Sequence, residues 1–157
     1  MKPFRHLFAV AGLALLVGTS AAAQQDDDCT GRQSSTRLYV DVTNVRKAEG
    51  LIAVTLYADD RSKFLAHRGS LYVGRVPAQS PTTEVCIYVP QPGIYGLAVY
   101  HDADADRSFD RNGIGLPKEG YGFSNNPPVI FGLPSFSKVR LQVPRTDLRT
   151  SVRLRYP

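Results

Sequence analysis

The sequence is poor in the groups that most enzymes and metal proteins depend on. It has two cysteines and three histidines in 157 residues. One histidine lies in the first 23 positions, and His67 and His101 stand 34 positions apart, which gives a zinc site poor support. Neither cysteine sits in a His-bearing nucleophile signature, which argues against thiol catalysis. Charged residues make up only 21% of the chain, against 43% apolar residues, so neither a disordered chain nor a coiled coil is expected. There is no collagen-like repeat, no internal repeat and no nucleic-acid-binding motif. Outside the N-terminus, no apolar run approaches the roughly 20 residues that span a bilayer.

The first segment reads as an export signal. Lys2, Arg5 and His6 form a basic start, Leu7 to Val17 an apolar stretch, and Ala21-Ala22-Ala23 a small-residue cleavage site. Residues 1–23 are therefore expected to be removed, leaving a tail over 24–35 and a single domain over 36–157. Loss of Lys2 and Arg5 lowers the formal net charge from +5 to +3. After cleavage no transmembrane segment is expected, and the location is secreted or periplasmic. Cys29 and Cys86, an even pair in an exported chain, are expected to form a disulfide.

The remainder alternates between apolar and polar residues at short intervals. Leu38-Val40-Val42, Ile52-Val54-Leu56, Leu71 to Val76, Val85-Ile87-Val89, Tyr95-Leu97-Val99, Val139-Leu141-Val143 and Val152-Leu154-Tyr156 predict about seven strands. Residues 59–67 have the pattern of one helical turn. One sheet alone cannot hide its apolar face, so an all-β, two-sheet antiparallel sandwich is expected, with a closed barrel as the main alternative. A connection of about 35 residues, rich in Gly and Asp, separates the fifth strand from the Val139 strand; loops of that length are usually functional or disordered.

Two stretches in this region carry a family resemblance. Gly93-Ile94-Tyr95-Gly96-Leu97-Ala98-Val99-Tyr100-His101-Asp102 precedes an Asp-rich turn, and Gly115-Leu116-Pro117-Lys118-Glu119-Gly120-Tyr121-Gly122-Phe123-Ser124-Asn125-Asn126 follows it. Together they resemble the domain of unknown function 2141 family of small exported bacterial proteins, over about Thr36 to Tyr156. Gly96 departs from the Ala usual there. The resemblance implies an immunoglobulin-like or transthyretin-like β-sandwich and brings no activity with it.

Asp102, Asp104, Asp106, Ser108 and Asp110 fall at alternate positions, with Asn112 two further on. Such spacing turns oxygen ligands toward one centre, as in an EF-hand loop, and suits Ca²⁺. Arg107 stands where the sharp turn needs Gly, and Gly113 where a bidentate Glu belongs, so the loop is not an EF-hand. It is a candidate for a looser calcium-binding turn completed by Glu119 or a backbone carbonyl. The alternatives are neutralisation by Arg107 and Arg111, or a solvated turn whose Asp and Asn residues satisfy their own backbone.

Glu119, Tyr121, Phe123, Ser124 and Asn125 are candidates for a ligand rim; the competing reading is a structural plug at one end of the sandwich. His101 and Asp102, with Glu119 or Ser124, supply the residue types of an envelope hydrolase, but the sequence around Ser124 lacks the final Gly of a nucleophile elbow. Within each of the last two predicted strands, the basic residues (Lys138 and Arg140 in one, Arg149, Arg153 and Arg155 in the other) alternate with apolar residues, and they would form a basic stripe if the two strands paired. An anionic envelope polymer or a lipid headgroup is the partner that such a stripe would suit; nucleic acid is not expected. The sequence therefore favours an exported binding or structural module that is not an enzyme, against a hydrolase or a small apolar ligand carrier with an internal cavity.

Overall fold

The computed structural model describes residues 29–129 and 132–157. The expected signal segment, and the tail as far as Asp28, lie outside the described residues. Eight strands form two sheets: β1 (Thr36–Thr43), β2 (Leu51–Ala58), β3 (Tyr72–Pro77), β4 (Thr82–Val89), β5 (Gly93–Asp102), β6 (Gly120–Phe123), β7 (Leu141–Val143) and β8 (Leu148–Arg153). The only helix among the described residues is α1 (Phe136–Val139). The smaller sheet runs β4-β1-β8, and the larger runs β3-β2-β5-β6, with β7 also pairing β5. All pairings are antiparallel except β1 with β8. The chain is thus the all-β sandwich that the alternation predicts.

The two sheets meet through the residues that set the alternation. Leu38, Val40, Val42, Val85, Ile87 and Val89 of the smaller sheet face Ile52, Val54, Leu56, Leu97 and Val99 of the larger in one continuous core. Most of these side chains are fully buried. Each contributes about 1.5–3 kcal/mol relative to exposure. Cys29 and Cys86 are disulfide-bonded. Next to the bond, Thr30 exchanges backbone hydrogen bonds with Cys86 and Tyr88 (2.9 and 3.0 Å), laying the tail along β4. Thr30 also fills the space over Gly74, so the tail covers the seam between β3 and β4.

Three expectations need correction. The helical turn expected over residues 59–67 is confined to Asp60–Phe64, where Phe64 N–H donates to the Asp60 carbonyl (3.2 Å); the left-handed backbone of Leu65 (φ 58°) ends it, and the segment continues as turns. Val139 belongs to α1, not to a strand with Leu141 and Val143. The last two strands do not pair: β7 lies on β5 in one sheet, and β8 on β1 in the other.

The long connection contains the unanticipated β6. Its Gly-Tyr-Gly-Phe sequence carries glycines on the inner face and aromatic rings on the outer. A Cβ on Gly122 would stand 2.7 Å from the Arg153 carbonyl oxygen, and one on Gly120 would stand 2.4 Å from the Tyr156 ring. Glycine at both positions brings β6 directly against the end of the smaller sheet. There Tyr121 and Arg155 exchange backbone hydrogen bonds (2.9 and 2.8 Å).

Candidate functional site

The Asp-rich turn begins where β5 ends. Asp102 is fully buried, whereas Asp104 and Asp106 are exposed. One carboxylate oxygen from each of the three lies within 4.8 Å of the others. Left-handed residues at Ala105 (φ 60°) and Arg107 (φ 68°) fold the backbone between these aspartates. Short bonds hold the turn: Arg107 N–H donates to Asp102 Oδ2 (2.9 Å), and Ser108 N–H donates to Asp106 Oδ1 (2.7 Å). Asp102 Oδ1 is buried and has no hydrogen-bond partner.

The other anticipated ligands are placed differently. Phe109 interrupts the alternation by packing edge-on to Tyr100 (5.5 Å) and Tyr121 (6.1 Å). Asp110 is thereby tied to the far side of the loop, where its carbonyl accepts from Lys118 N–H (2.9 Å). Asn112 Oδ1 accepts from the amides of Ile114 and Leu116, closing a separate turn. Ser108 contributes its amide to Asp106.

Glu119 braces the whole loop. Its two oxygens accept from Ala103 N–H (3.2 Å) and Asp110 N–H (3.1 Å), joining the start and the end of the Asp-rich stretch. Partial burial raises its pKa above the ordinary glutamate value. The two amide bonds oppose that shift, and the charges of Asp102 and Asp110 add to it. Both carboxylate oxygens of Glu119 thus brace the loop.

The rest of the anticipated rim divides in two. Tyr121 and Phe123 line an open groove of about 250 Å³ on the outer face of the larger sheet. Ser124 is fully buried; its hydroxyl donates to the Val139 carbonyl and accepts from Leu97 N–H (3.0 Å). Asn125 donates to the Arg140 carbonyl (2.8 Å). These two side chains anchor α1 to β6 and do not face the groove. His101 is also buried, with Nε2 donating to the Glu49 carbonyl (2.8 Å) and Nδ1 accepting from the Tyr156 hydroxyl (2.8 Å). Ser124 bonds to Leu97, four positions along β5 from His101, or roughly 13 Å at strand rise. The structure does not bring these two side chains together.

Most of the remaining groove residues had no assigned role in the sequence, among them Thr55 and Tyr57 of β2, Tyr100 of β5, Leu65, Phe109 and Leu133, while Arg111 was expected only as a neutraliser of the Asp-rich turn. Burial raises the Tyr57 hydroxyl pKa. The available signal was β2 itself, whose run Ile52 to Tyr57 is buried on both faces. Near-continuous apolar character of that kind marks a strand covered on each side. The cover is a second cluster of Phe123, Phe136 and Val139, packed with Phe64, Leu65 and Tyr121.

The basic residues are dispersed. Arg149 pairs with Asp41 (2.6 Å) and Glu84 on the smaller sheet. Arg140 makes a two-pronged contact with Asp59 (3.1 and 2.9 Å) beside the larger sheet. Arg153 and Arg155 use their backbones to meet Asn126 and Tyr121, and Lys138 lies in α1. The two-strand stripe is not built, because its halves belong to different sheets.

Fold and site together define a disulfide-bonded β-sandwich with an Asp-rich turn at one end of an aromatic-lined sheet face. The chain belongs to the family described as an uncharacterized protein conserved in bacteria (DUF2141), whose model matches residues 40–151. No curated protein and no solved structure gives a significant match. Among the described residues, no helix is long and apolar enough to cross a membrane. The Cys29–Cys86 bond is consistent with an extracytoplasmic location.

Proposed function

We propose that this protein is an exported binding module of the cell envelope that takes a small, largely apolar ligand on the outer face of the larger sheet. One observation carries the reading: Tyr57, Tyr100, Phe109, Tyr121 and Phe123 line one open groove, and Arg111 is the only charged residue in its lining. Aromatic side chains supply large apolar area with defined geometry, and a single polar group fixes orientation. A volume of about 250 Å³ lies below the usual range for drug-sized sites, which suits one ring or a short chain with its polar end at Arg111. An internal cavity between the sheets is not needed for this role. The hydrolase reading draws no support from the separate engagements of His101 and Ser124.

The test is titration of protein produced from the full-length chain with anilinonaphthalene sulfonate, a small aromatic anion. Folded protein is expected to bind it and enhance its fluorescence. Phe109→Ala is expected to weaken binding about fivefold, since one aromatic contact is worth on the order of 1 kcal/mol. Arg111→Gln should weaken binding with only a small fall in melting temperature, because its contacts with Gly115 and Phe109 lie at the exposed surface. Equal affinity in wild type and Phe109→Ala would sink the proposal.

A further inference from the structure

We infer that the carboxylates of Asp102, Asp104 and Asp106 form a Ca²⁺ site. A group of exposed acidic residues says little by itself. What points to a ligand here is Asp102: its side chain is fully buried, yet Oδ1 has no partner of any kind. Buried polar atoms are almost always satisfied, and a buried carboxylate requires a counter-charge. The protein does not supply one. Among the described residues, no Arg or Lys forms an ion pair with any of the three aspartates. Arg111, expected from the sequence to neutralise the turn, instead donates to the Gly115 carbonyl (3.1 Å) and lies over the Phe109 ring (5.1 Å). Arg75 donates to the Tyr100 hydroxyl and the Arg107 carbonyl.

The donor set selects the ion. All three ligands are carboxylate oxygens, which suits a hard cation and disfavours zinc or copper. Three oxygens no more than 4.8 Å apart lie within about 2.8 Å of a common centre, so a shift of a few tenths of an ångström brings them to the Ca²⁺–oxygen distance of about 2.3–2.6 Å. The amides of Asp106 and Ser108 occupy Oδ1 of Asp104 and of Asp106, leaving the two Oδ2 atoms free to ligate. Glu119 fixes the two ends of the loop by its amide bonds, so the turn is held in shape before an ion arrives. Three ligands fill at most about half of a Ca²⁺ shell, with water completing it, so an affinity of about 10⁻⁴–10⁻³ M follows, as in extracellular modules. The site stands on the turn alone and does not require the groove to hold a ligand.

The experiment compares melting temperature in about 10 mM CaCl₂ with that in chelator, using NaCl to match ionic strength, alongside calorimetric titration of the full chain with CaCl₂. Because a ligand that binds only the native state stabilises it by mass action, a rise of about 5 °C is expected. The double variant Asp104→Asn/Asp106→Asn changes only exposed side chains. It should melt as the wild type does in chelator and lose the rise with Ca²⁺. A flat calorimetric titration of the wild type, an equal rise with NaCl, or an undiminished rise in the double variant would overturn the site.

Discussion

The two faces of the β3-β2-β5-β6 sheet are built on different terms. The inner face is aliphatic: Ile52, Val54, Leu56, Leu97 and Val99 meet the smaller sheet with essentially no exposed surface. The outer face is aromatic, is covered in part by α1 and the 59–71 connection, and leaves a groove open. Aliphatic side chains interdigitate and specify one packing, so the inner face fixes the fold. Rings meeting edge to edge leave gaps, so the outer face has room for a ligand. The proposed binding role thus assigns recognition to the side of these strands opposite the one that carries stability.

The largest test of that contrast sets Leu97→Ala against Tyr100→Ala, three positions apart on β5. Leu97→Ala is expected to cost about 2–5 kcal/mol in urea denaturation, because it opens a cavity in a closed core. Tyr100→Ala should cost on the order of 1 kcal/mol while abolishing much of the dye binding. Comparable losses of stability would erase the distinction.

Next in size is Gly122→Ala, which probes where the larger sheet touches the smaller. Its Cβ would meet the Arg153 carbonyl oxygen and Val152 Cγ1 at 2.7 and 2.8 Å. Overpacking of this kind costs about 1–3 kcal/mol. A wild-type melting temperature would show that the seam is looser than drawn.

The smallest effect belongs to Glu119. Its folded-state pKa is raised by burial, so the native state holds the proton more tightly than the unfolded state does. Its contribution therefore weakens as pH rises from the ordinary glutamate value through the raised one. In chelator, the stability of wild type minus that of Glu119→Gln should fall as pH increases from about 4 to 7, by urea midpoints. A difference that grows over that interval would reverse the assignment.

The inner face was largely legible in the sequence, because alternation of Val, Ile and Leu has only one way to be buried once two sheets stack. Strand β6 was not, because the positions it turns toward the smaller sheet are Gly120 and Gly122, which carry no hydrophobic signal. Val139 misled through parity: it is buried, but against Phe136 and Phe123 on the outer face. The basic residues showed the right alternation along each strand, yet alternation holds no information about which strand pairs with which. In the Asp-rich turn, spacing brought Asp102, Asp104 and Asp106 together, and it failed at Asp110 because Phe109 follows the rings of Tyr100 and Tyr121 instead. The groove lay hidden in β2, where Ala53, Thr55 and Tyr57 alternate with the core set Ile52, Val54 and Leu56 but are themselves buried beneath a second layer.

Asn126 has a consequence of its own. Its side-chain amide accepts from Arg153 N–H (2.7 Å) and donates to the Ser151 carbonyl (3.0 Å), as a peptide unit of a neighbouring strand would. Along the margin of β8, one side chain therefore imitates a missing strand. An extended polypeptide seeking to lengthen the smaller sheet there must first evict that amide, so this border is guarded against accretion by other chains.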